Sequence, residues 1–337
     1  MIRVAVDAMG GDSAPQAEID GVIQALTTLP GKFLVQLVGS SDVINTELAK
    51  YPSADHSRLE IHEAAEVIGM GEKPLAAVRR KPKSSIVVGL TLQKDGRSDA
   101  FVSAGNTGAI LAASTILLGL HDGVERATVA TLFPTLNQPV LVLDGGANVD
   151  CSPRELVNFA FLGSVYMRDV LRRPSPTVGL LNVGEEEEKG NAITREAHTL
   201  LRRTSRLHYL GNIEGRDIVA GHHKYGVIDV VVCDGFVGNV VLKFYESVAR
   251  LFVGLVKQQL PDMLQRPEMK ELFRILDYSE YGGAPLLGVK GVSIICHGAS
   301  TPNAIKNAVR VAVQSVEADL SRHIGAEFAE REAATQA

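Results

Sequence analysis

Cysteine is scarce in this chain of 337 residues: there are three, with no C-x-x-C spacing, which excludes a disulfide framework and points to a reducing compartment. Basic residues do not outnumber acidic ones. The 34 Lys and Arg stand against 39 Asp and Glu, and a net charge of −5 argues against nucleic acid as the main partner. No apolar run approaches the ~20 residues of a membrane-spanning helix. A Ser/Pro-rich linker, a low-complexity tract and an internal repeat are all missing. The amino terminus, Met1-Ile-Arg-Val-Ala-Val-Asp7, reads as a strand and not as a signal peptide. The expectation is a cytosolic protein that can still touch a membrane surface.

The usual nucleotide signatures are missing too, with no G-x-G-x-x-G after a strand and no G-x-x-x-x-G-K-S/T. None of the nine His shows H-x-x-x-H or Cys/His zinc spacing; His222 and His223 are adjacent, and His56 and His62 fall on a loop and a strand. Cys296-His297 is a poor catalytic pair, because neighbours on a strand point to opposite faces. Cys233 and Cys296 read as small buried hydrophobes.

What is present is a repeated pattern. The chain has 45% apolar and 22% charged residues, ordinary for a globular protein, and its surplus of Gly sits in a few loops. Six apolar runs break off into short stretches of Gly, Asn and Asp: Phe101 to Gly108, Val140 to Asn148, Leu180 to Glu185, Tyr209 to Asn212, Val230 to Asn239 and Ile294 to Ser300. Most lead into helical apolar spacing. Strand, polar loop and helix in repetition define an α/β fold with a mostly parallel sheet and helices on both faces, as one large α/β unit over 1–337 or as two lobes. Such sheets bind ligands at the carboxyl ends of their strands. Gly lets backbone approach a ligand and helix starts favour anions, so the loops point to a phosphate site.

Strands are expected at 2–6, 33–38, 100–103, 127–132, 139–143, 177–182, 207–211, 229–233 and 292–296. Helices are expected at 15–29, 84–95, 107–120, 153–171, 188–203, 239–260, 268–278 and 302–320. Ser84, Ser152 and Thr301 fit helix caps. The stretch 239–283 carries two helical patterns with no strand between them, a helical hairpin projecting from the sheet or the seam of a dimer. Its first helix has an apolar stripe from Val241, Phe244 and Tyr245 to Leu255 and Val256, and its second a shorter one through Met269, Leu272, Phe273 and Leu276 with basic neighbours.

Four motifs carry the candidate chemistry. Asp7-Ala-Met-Gly10-Gly11-Asp12 follows the first strand, where it either holds a ligand or turns the chain. Ser103-Ala-Gly105-Asn106-Thr107-Gly108 opens an apolar helix, where amides and hydroxyls can converge on an anion. Asn182-Val-Gly-Glu185 to Glu188-Lys189-Gly-Asn191 places a lone cation near a helix start; the glutamates suit a first helical turn, whereas Lys189 opposes the dipole unless it faces an anion. Asp234 to Asn239 follows the most apolar strand, with Asn239 beginning a helix as amide donor or simple cap.

These motifs, with Gly-Asn-Ile-Glu-Gly-x-Asp at 211–217, Tyr-Ser-Glu-Tyr-Gly-Gly-Ala-Pro-Leu-Leu-Gly at 278–288 and His-Gly-Ala-Ser at 297–300, closely resemble the bacterial phosphate acyltransferases of the PlsX type. The matches fall in order and cover the chain to about residue 320. Two departures are visible: Ala299 stands where the family usually has Ser, and a short extra stretch lies around His222 to Tyr225. The resemblance implies a Rossmann-like α/β/α sandwich related to isocitrate-dehydrogenase-like and phosphotransacetylase folds. It implies conversion of acyl-[acyl carrier protein] and inorganic phosphate to acyl phosphate, feeding phospholipid synthesis, in a cytoplasmic homodimer weakly and peripherally attached to the membrane. It implies no metal or organic cofactor, and a downstream glycerol-3-phosphate acyltransferase as partner. On this basis Lys189, Asn239 and His297 are the expected catalytic residues. Asp7, Gly10, Gly11, Ser103, Gly105, Asn106, Thr107, Asn148, Asn182 and Asp234 are the expected substrate-binding set. The rivals are a phosphotransacetylase acting on a coenzyme A thioester, a metal-dependent hydroxy-acid dehydrogenase, which needs clustered Asp and several Arg where these loops are Asn- and Gly-rich with few Arg, and a membrane-docking scaffold.

Overall fold

The computed structural model describes residues 1–135, 138–276 and 278–336. Residue 277, inside the expected helix at 268–278 and the expected hairpin at 239–283, lies outside that set. The chain forms β1 (Ile2–Asp7), α1 (Gln16–Thr28), β2 (Phe33–Gly39), α2 (Ser41–Leu48), β3 (Leu59–Glu63), α3 (Pro74–Arg80), α4 (Ser85–Lys94), β4 (Ala100–Ser103) and α5 (Thr107–Leu117). There follow β5 (Thr128–Val129), β6 (Thr131–Phe133), β7 (Val140–Leu143), α6 (Pro153–Asp169), β8 (Thr177–Leu181), α7 (Ala192–Arg202), β9 (His208–Ile213), α8 (Gly215–Ala220), β10 (His222–His223), β11 (Gly226–Val227), β12 (Val230–Val232), α9 (Gly235–Gln259) and α10 (Pro267–Leu276). Last come β13 (Ala284–Leu287), β14 (Ser293–Ile295), α11 (Pro302–Glu317) and α12 (Leu320–Gln336). Two compact units result: Met1–Ala127 with Tyr281–Ala337, and Thr128–Glu280.

In the first unit the sheet runs β3-β2-β1-β4-β14-β13, parallel except for the antiparallel β13–β14 pair. Side chains alternate across it. Val4, Val6, Val35, Leu37, Ala100 and Val102 pack with Ile19 and Val22 of α1 and Ile305 and Val309 of α11, whereas Phe101 turns to the other face, against Gly89 of α4. Burial on both faces explains why these strands are nearly pure Val, Leu and Ala. The chain moves outward from β1 to β2 and β3, then returns to place β4 on the other side of β1. That reversal opens a crevice between the ends of β1 and β4.

The second unit has a sheet in the order β6-β7-β12-β8-β9, with β7, β12, β8 and β9 parallel. Val140, Val142 and Val231 pack with Ile213, Ile218 and Ile228, under Val241, Leu242 and Tyr245 of α9. Gly163 of α6 meets Leu143 and Val230 on the opposite face.

The three expected caps form. Ser84 accepts from Val87 N at 3.4 Å, Ser152 from Glu155 N at 3.2 Å within a full capping box, and Thr301 from Ala304 N at 3.3 Å. Two helix starts differ from expectation. The cap of α9 is Asp234, whose carboxylate accepts from Val237 N at 2.7 Å, so Asn239 lies inside the helix and does not begin it. The helix expected from 188 starts at Ala192 behind the cap Asn191; Glu185 to Glu188 therefore sit in the preceding loop and owe nothing to a helix dipole. The strand expected at 127–132 is divided at Ala130 into β5 and β6. Helices α2, α3, α8 and α12 and strand β13 were not expected.

The apolar stripe of α9 divides between two fates. Val241 and Tyr245 pack on the core, Tyr245 meeting Phe133 at a ring distance of 5.7 Å, while Phe244, Val248, Leu251, Phe252 and Leu255 are exposed, Phe244 by 70%. No residue of α10 is buried, and Leu272 and Ile275 face outward.

Close helix packing in the first unit gives a test. A Cβ on Gly21 of α1 comes within 2.6 Å of both Ile305 Cβ and the Pro302 carbonyl oxygen. Ala is the better helix former, yet pressing a methyl into backbone outweighs that preference. Gly21→Ala should lose about 1–3 kcal/mol of stability, read from the urea midpoint; a stabilised variant would show that α1 and α11 do not meet this closely.

Candidate active site

Within the first unit, loops from the carboxyl ends of β1, β4 and β14 interlock around a buried carboxylate. Asp7 is fully buried and accepts from Ser103 Oγ at 2.7 Å and Met9 N at 3.0 Å. Ser103 Oγ in turn accepts from Gly105 N at 3.0 Å. Asp12 N donates to the Gly298 carbonyl at 2.7 Å, tying the first loop to the last. Gly10 has no room for a Cβ, which would overlap the Asp7 carboxylate and stand 2.8 Å from Gly105 N; a Cβ on Gly11 would overlap the Glu18 carboxylate.

Asn106 caps α5 through Oδ1 to Ala109 N at 3.0 Å, and its Nδ2 reaches the carbonyls of Gly69, Met70 and Glu72 at 3.0–3.3 Å. The hydroxyl of Ser103 and the amide of Asn106 are thus occupied in shaping the loop. Toward a ligand the loop offers the exposed Thr107 and the first amides of α5, which have no intrahelical acceptor. His297 is exposed, and its Nδ1 accepts from Ala299 N at 3.2 Å, which assigns the ring proton of the neutral form to Nε2.

The second unit repeats the device at the ends of three neighbouring parallel strands, β7, β12 and β8. Asp144, fully buried, accepts through Oδ1 from the amides of Val129, Gly146 and Ala147 at 3.0–3.2 Å. Its Oδ2 accepts from Asn148 N at 2.6 Å and Asn148 Nδ2 at 2.8 Å. Asn148 O then takes the Gly235 amide at 2.8 Å, joining this loop to the start of α9. Gly238 packs directly on the Asp144 carbonyl, and Gly146, at φ +129°, lies beneath the side chain of Asn239. Asn239 itself is exposed.

The loop after β8 is closed by Asn182, which accepts from Val183 N at 2.8 Å and donates to the Lys189 carbonyl at 3.2 Å. Gly190 turns it at φ +93°, with no space for a Cβ beside Asn182. The acidic run is tied off sideways: Glu185 pairs with Lys224 at 2.6 Å and Arg216 at 3.5 Å, and Glu187 pairs with Arg202. Lys189 is exposed and forms no ion pair among the described residues. Lys189, Asn182, Asn148 and Asp234 thus lie in loop segments of the second unit with Asn239 inside α9, and Asp7, Gly10, Gly11, Ser103, Gly105, Asn106 and His297 lie at strand ends and in loops of the first with Thr107 opening α5.

All three thiols are buried. Burial pushes those of Cys151 and Cys296 up to about 12 and that of Cys233 well above its usual value. None is a thiolate at neutral pH, so none is a nucleophile.

Two residues escaped the sequence reading. Asp144 was visible only as part of a Gly/Asn loop. Glu18 sits in the first turn of α1 with 1% of its surface exposed, and its carboxyl is pushed up to about 7, first by burial and then by the charges of Asp7 and Asp12. Nothing in its spacing distinguishes it from a solvated glutamate near a helix start.

The exposed Lys189 and the helix-start amides, on loops that follow parallel strands, are features suited to binding an anion. The family model described as "Fatty acid synthesis protein" matches residues 2–323, and the chain belongs to that family. Relatives named phosphate acyltransferase include those of Heliobacterium modesticaldum, 48% identical over 94% of each chain, and of Salinibacter ruber, 46% identical over 92% of this chain and 93% of the other. The chain is accordingly an enzyme of the phosphate acyltransferase family. The fold is also similar to that of a phosphotransacetylase from Streptococcus pyogenes, with a TM-score of 0.63 at 16% identity over 94% of each chain. For the EutD phosphotransacetylase of Staphylococcus aureus the TM-score is 0.60 at 15% identity over the same shares.

Glu18 yields a prediction with a definite sign. A carboxyl whose folded pKa lies above its unfolded value favours folding below about pH 4.5, and that contribution is lost as the pH rises through about 7. Glu18→Gln should therefore be more stable than the parent at pH 8, by roughly 1–3 kcal/mol, with the gap closing toward pH 4.5. Urea unfolding at both pH values checks it; a gap independent of pH would mean that Glu18 does not titrate in this way.

Proposed function

We propose that this enzyme transfers the acyl group of acyl-[acyl carrier protein] to inorganic phosphate, yielding acyl phosphate for phospholipid synthesis. The observation that carries the reading is the 182–190 loop, in which Glu185 and Glu187 are engaged by other cations while Lys189 is left for an external anion. Its cap-bound helix, the Asn182 clasp and the Gly190 turn hold that cation at the end of a central strand.

In the reaction a phosphate oxygen attacks the thioester carbonyl. The tetrahedral oxyanion then collapses and expels the carrier's thiolate, whose conjugate thiol has a pKa near ~8.5, so the departing sulfur needs little acid assistance and takes its proton from solvent. The protein has to orient phosphate and stabilise the oxyanion. Lys189 offsets the phosphate charge, and the amide of Asn239 donates to phosphate or to the carbonyl oxygen. The amides opening α5, with Thr107, bind anionic oxygens, and the Nε2–H of His297 contacts substrate or relays a proton. Asp7, Ser103, Asn106, Asp144, Asn148 and Asp234 serve by fixing the loops. The buried, neutral thiols argue against an acyl-cysteine intermediate.

Lys189→Ala and Asn239→Ala should fold normally and lose ~100-fold or more in turnover. The assay follows acyl phosphate formed from acyl carrier protein and coenzyme A thioesters in parallel. Near-parental turnover in either variant removes that residue from the mechanism; faster reaction of the coenzyme A thioester selects the phosphotransacetylase reading instead.

The uncovered apolar face of α9 and α10 supports a homodimer contact on the longer helix and shallow, reversible membrane contact on the shorter one. No helix among the described residues is long and apolar enough to cross a membrane. We read the protein as cytoplasmic and peripherally attached, passing its product to a glycerol-3-phosphate acyltransferase. Leu272→Glu combined with Phe273→Glu should release it from anionic vesicles in co-sedimentation while light scattering still reports a dimer. Unchanged vesicle binding sinks the membrane role, and a monomeric product assigns the stripe to the dimer.

A further inference from the structure

The extra stretch from His222 to Tyr225 folds as the antiparallel β10–β11 hairpin beside a cavity of about 720 Å³ in the second unit. Glu185, Asn212, Arg216, His223 and Lys224 are among its lining residues. His223 is 3% exposed, yet neither ring nitrogen has a hydrogen-bond partner; the Glu185 carboxylate, 3.8 Å from Nε2, stands just beyond bonding distance. A buried imidazole left with two unsatisfied nitrogens is an expensive arrangement unless something else fills the gap.

The neighbours of His223 supply the chemistry. One ligand atom each from Glu185, Asp217 and His223 lie within 4.8 Å of one another. Asp217 is buried; its Oδ2 accepts from Glu214 N at 2.8 Å, and its Oδ1 stands 4.0 Å from the Arg216 Nε. Around a tetrahedral divalent ion with bonds of about 2.0–2.2 Å, ligand atoms stand roughly 3.4 Å apart, so the three groups close in on a bound ion by up to about 1.4 Å per pair. Two carboxylates and one neutral imidazole balance the charge of a divalent ion, and the imidazole selects a first-row transition metal over magnesium or calcium.

We infer that Glu185, Asp217 and His223 form a site for a divalent first-row metal ion, with zinc as its natural probe. The ammonium of Lys224, 2.6 Å from Glu185 Oε2, competes with the ion for the same carboxylate, and Arg216 at 3.5 Å adds to that repulsion. Affinity is therefore set by a displaceable cation. Bound metal fastens the loop that carries Lys189 to α8 and to the β10–β11 hairpin through one point. Spacing alone could not show such a site, because its three ligands come from separate elements. The inference is independent of which thioester the enzyme uses.

Calorimetric titration of the full-length protein with zinc at pH 7.5, and visible absorption with cobalt(II) in its place, test this directly. The expected result is one equivalent bound by the parent and by His222→Ala, and none at that site in His223→Ala. In Lys224→Met, binding tightens by about two- to fivefold, the worth of removing a partly exposed ion pair. Circular dichroism confirms folding; should His223→Ala prove unfolded, Glu185→Gln takes its place in the comparison. A parent titration indistinguishable from that of the ligand variant, whether both bind or neither does, overturns the site.

Discussion

A buried carboxylate at the end of a central strand is the constraint on which both units depend. Asp7 closes β1 and Asp144 follows β7, each fully buried; Asp7 accepts from the Met9 amide and the hydroxyls of Ser103 and Ser85, and Asp144 from four backbone amides and the Asn148 side chain. Leaving water is costly for a carboxylate, so its oxygens take whatever donors the local backbone can offer. The loops are drawn inward until their amides reach those oxygens. What looks like a flexible Gly/Asn segment is thereby held in one conformation.

That arrangement dictates where glycine must stand. Gly10 lies against Asp7 and Gly238 against the Asp144 carbonyl, positions where a Cβ collides with the groups that hold the loop. It also sorts the polar side chains into two kinds. Ser103 and Asn148 donate to the buried carboxylates of Asp7 and Asp144, while Asn106, Asn182 and Asp234 spend their hydrogen bonds on the backbone around them. Lys189 and His297 on the loops, Thr107 at the start of α5 and Asn239 within α9 remain exposed. The division matches a site that is rigid beneath and reactive above, as preorganised oxyanion stabilisation requires.

Much of this was legible in the sequence. Ser84, Ser152 and Thr301 announced their helices because a cap is a local interaction over three residues. The strands before the Gly/Asn loops were legible because burial on both faces leaves an unbroken apolar run. The start of α9 was misplaced because Gly235 and Gly238 resemble loop residues, whereas Gly238 is a helical glycine required by a carbonyl distant in sequence. The same holds for the glutamates before α7, whose partners Lys224, Arg216 and Arg202 come from other elements. The motifs supplied the candidate residues, and the contacts show which of them hydrogen-bond within the loops and which are exposed. Glu18 was invisible, since burial is a property of the surroundings and not of the residue.

The division of the chain also bears on how it is made. The first unit is assembled from both ends, Met1–Ala127 and Tyr281–Ala337, with the whole of the second unit between them. On a ribosome the leading segment emerges with the edge of β4 unpaired and α1 lacking α11, its neighbour in the finished core. It stays incomplete through synthesis of the entire intervening unit, which needs nothing from either end to build its own sheet. The enclosed unit can therefore finish before the one that was started first. An open strand edge held for that interval invites wrong pairing, and this places the greatest demand for chaperone protection on the Met1–Ala127 segment while the second unit is being made.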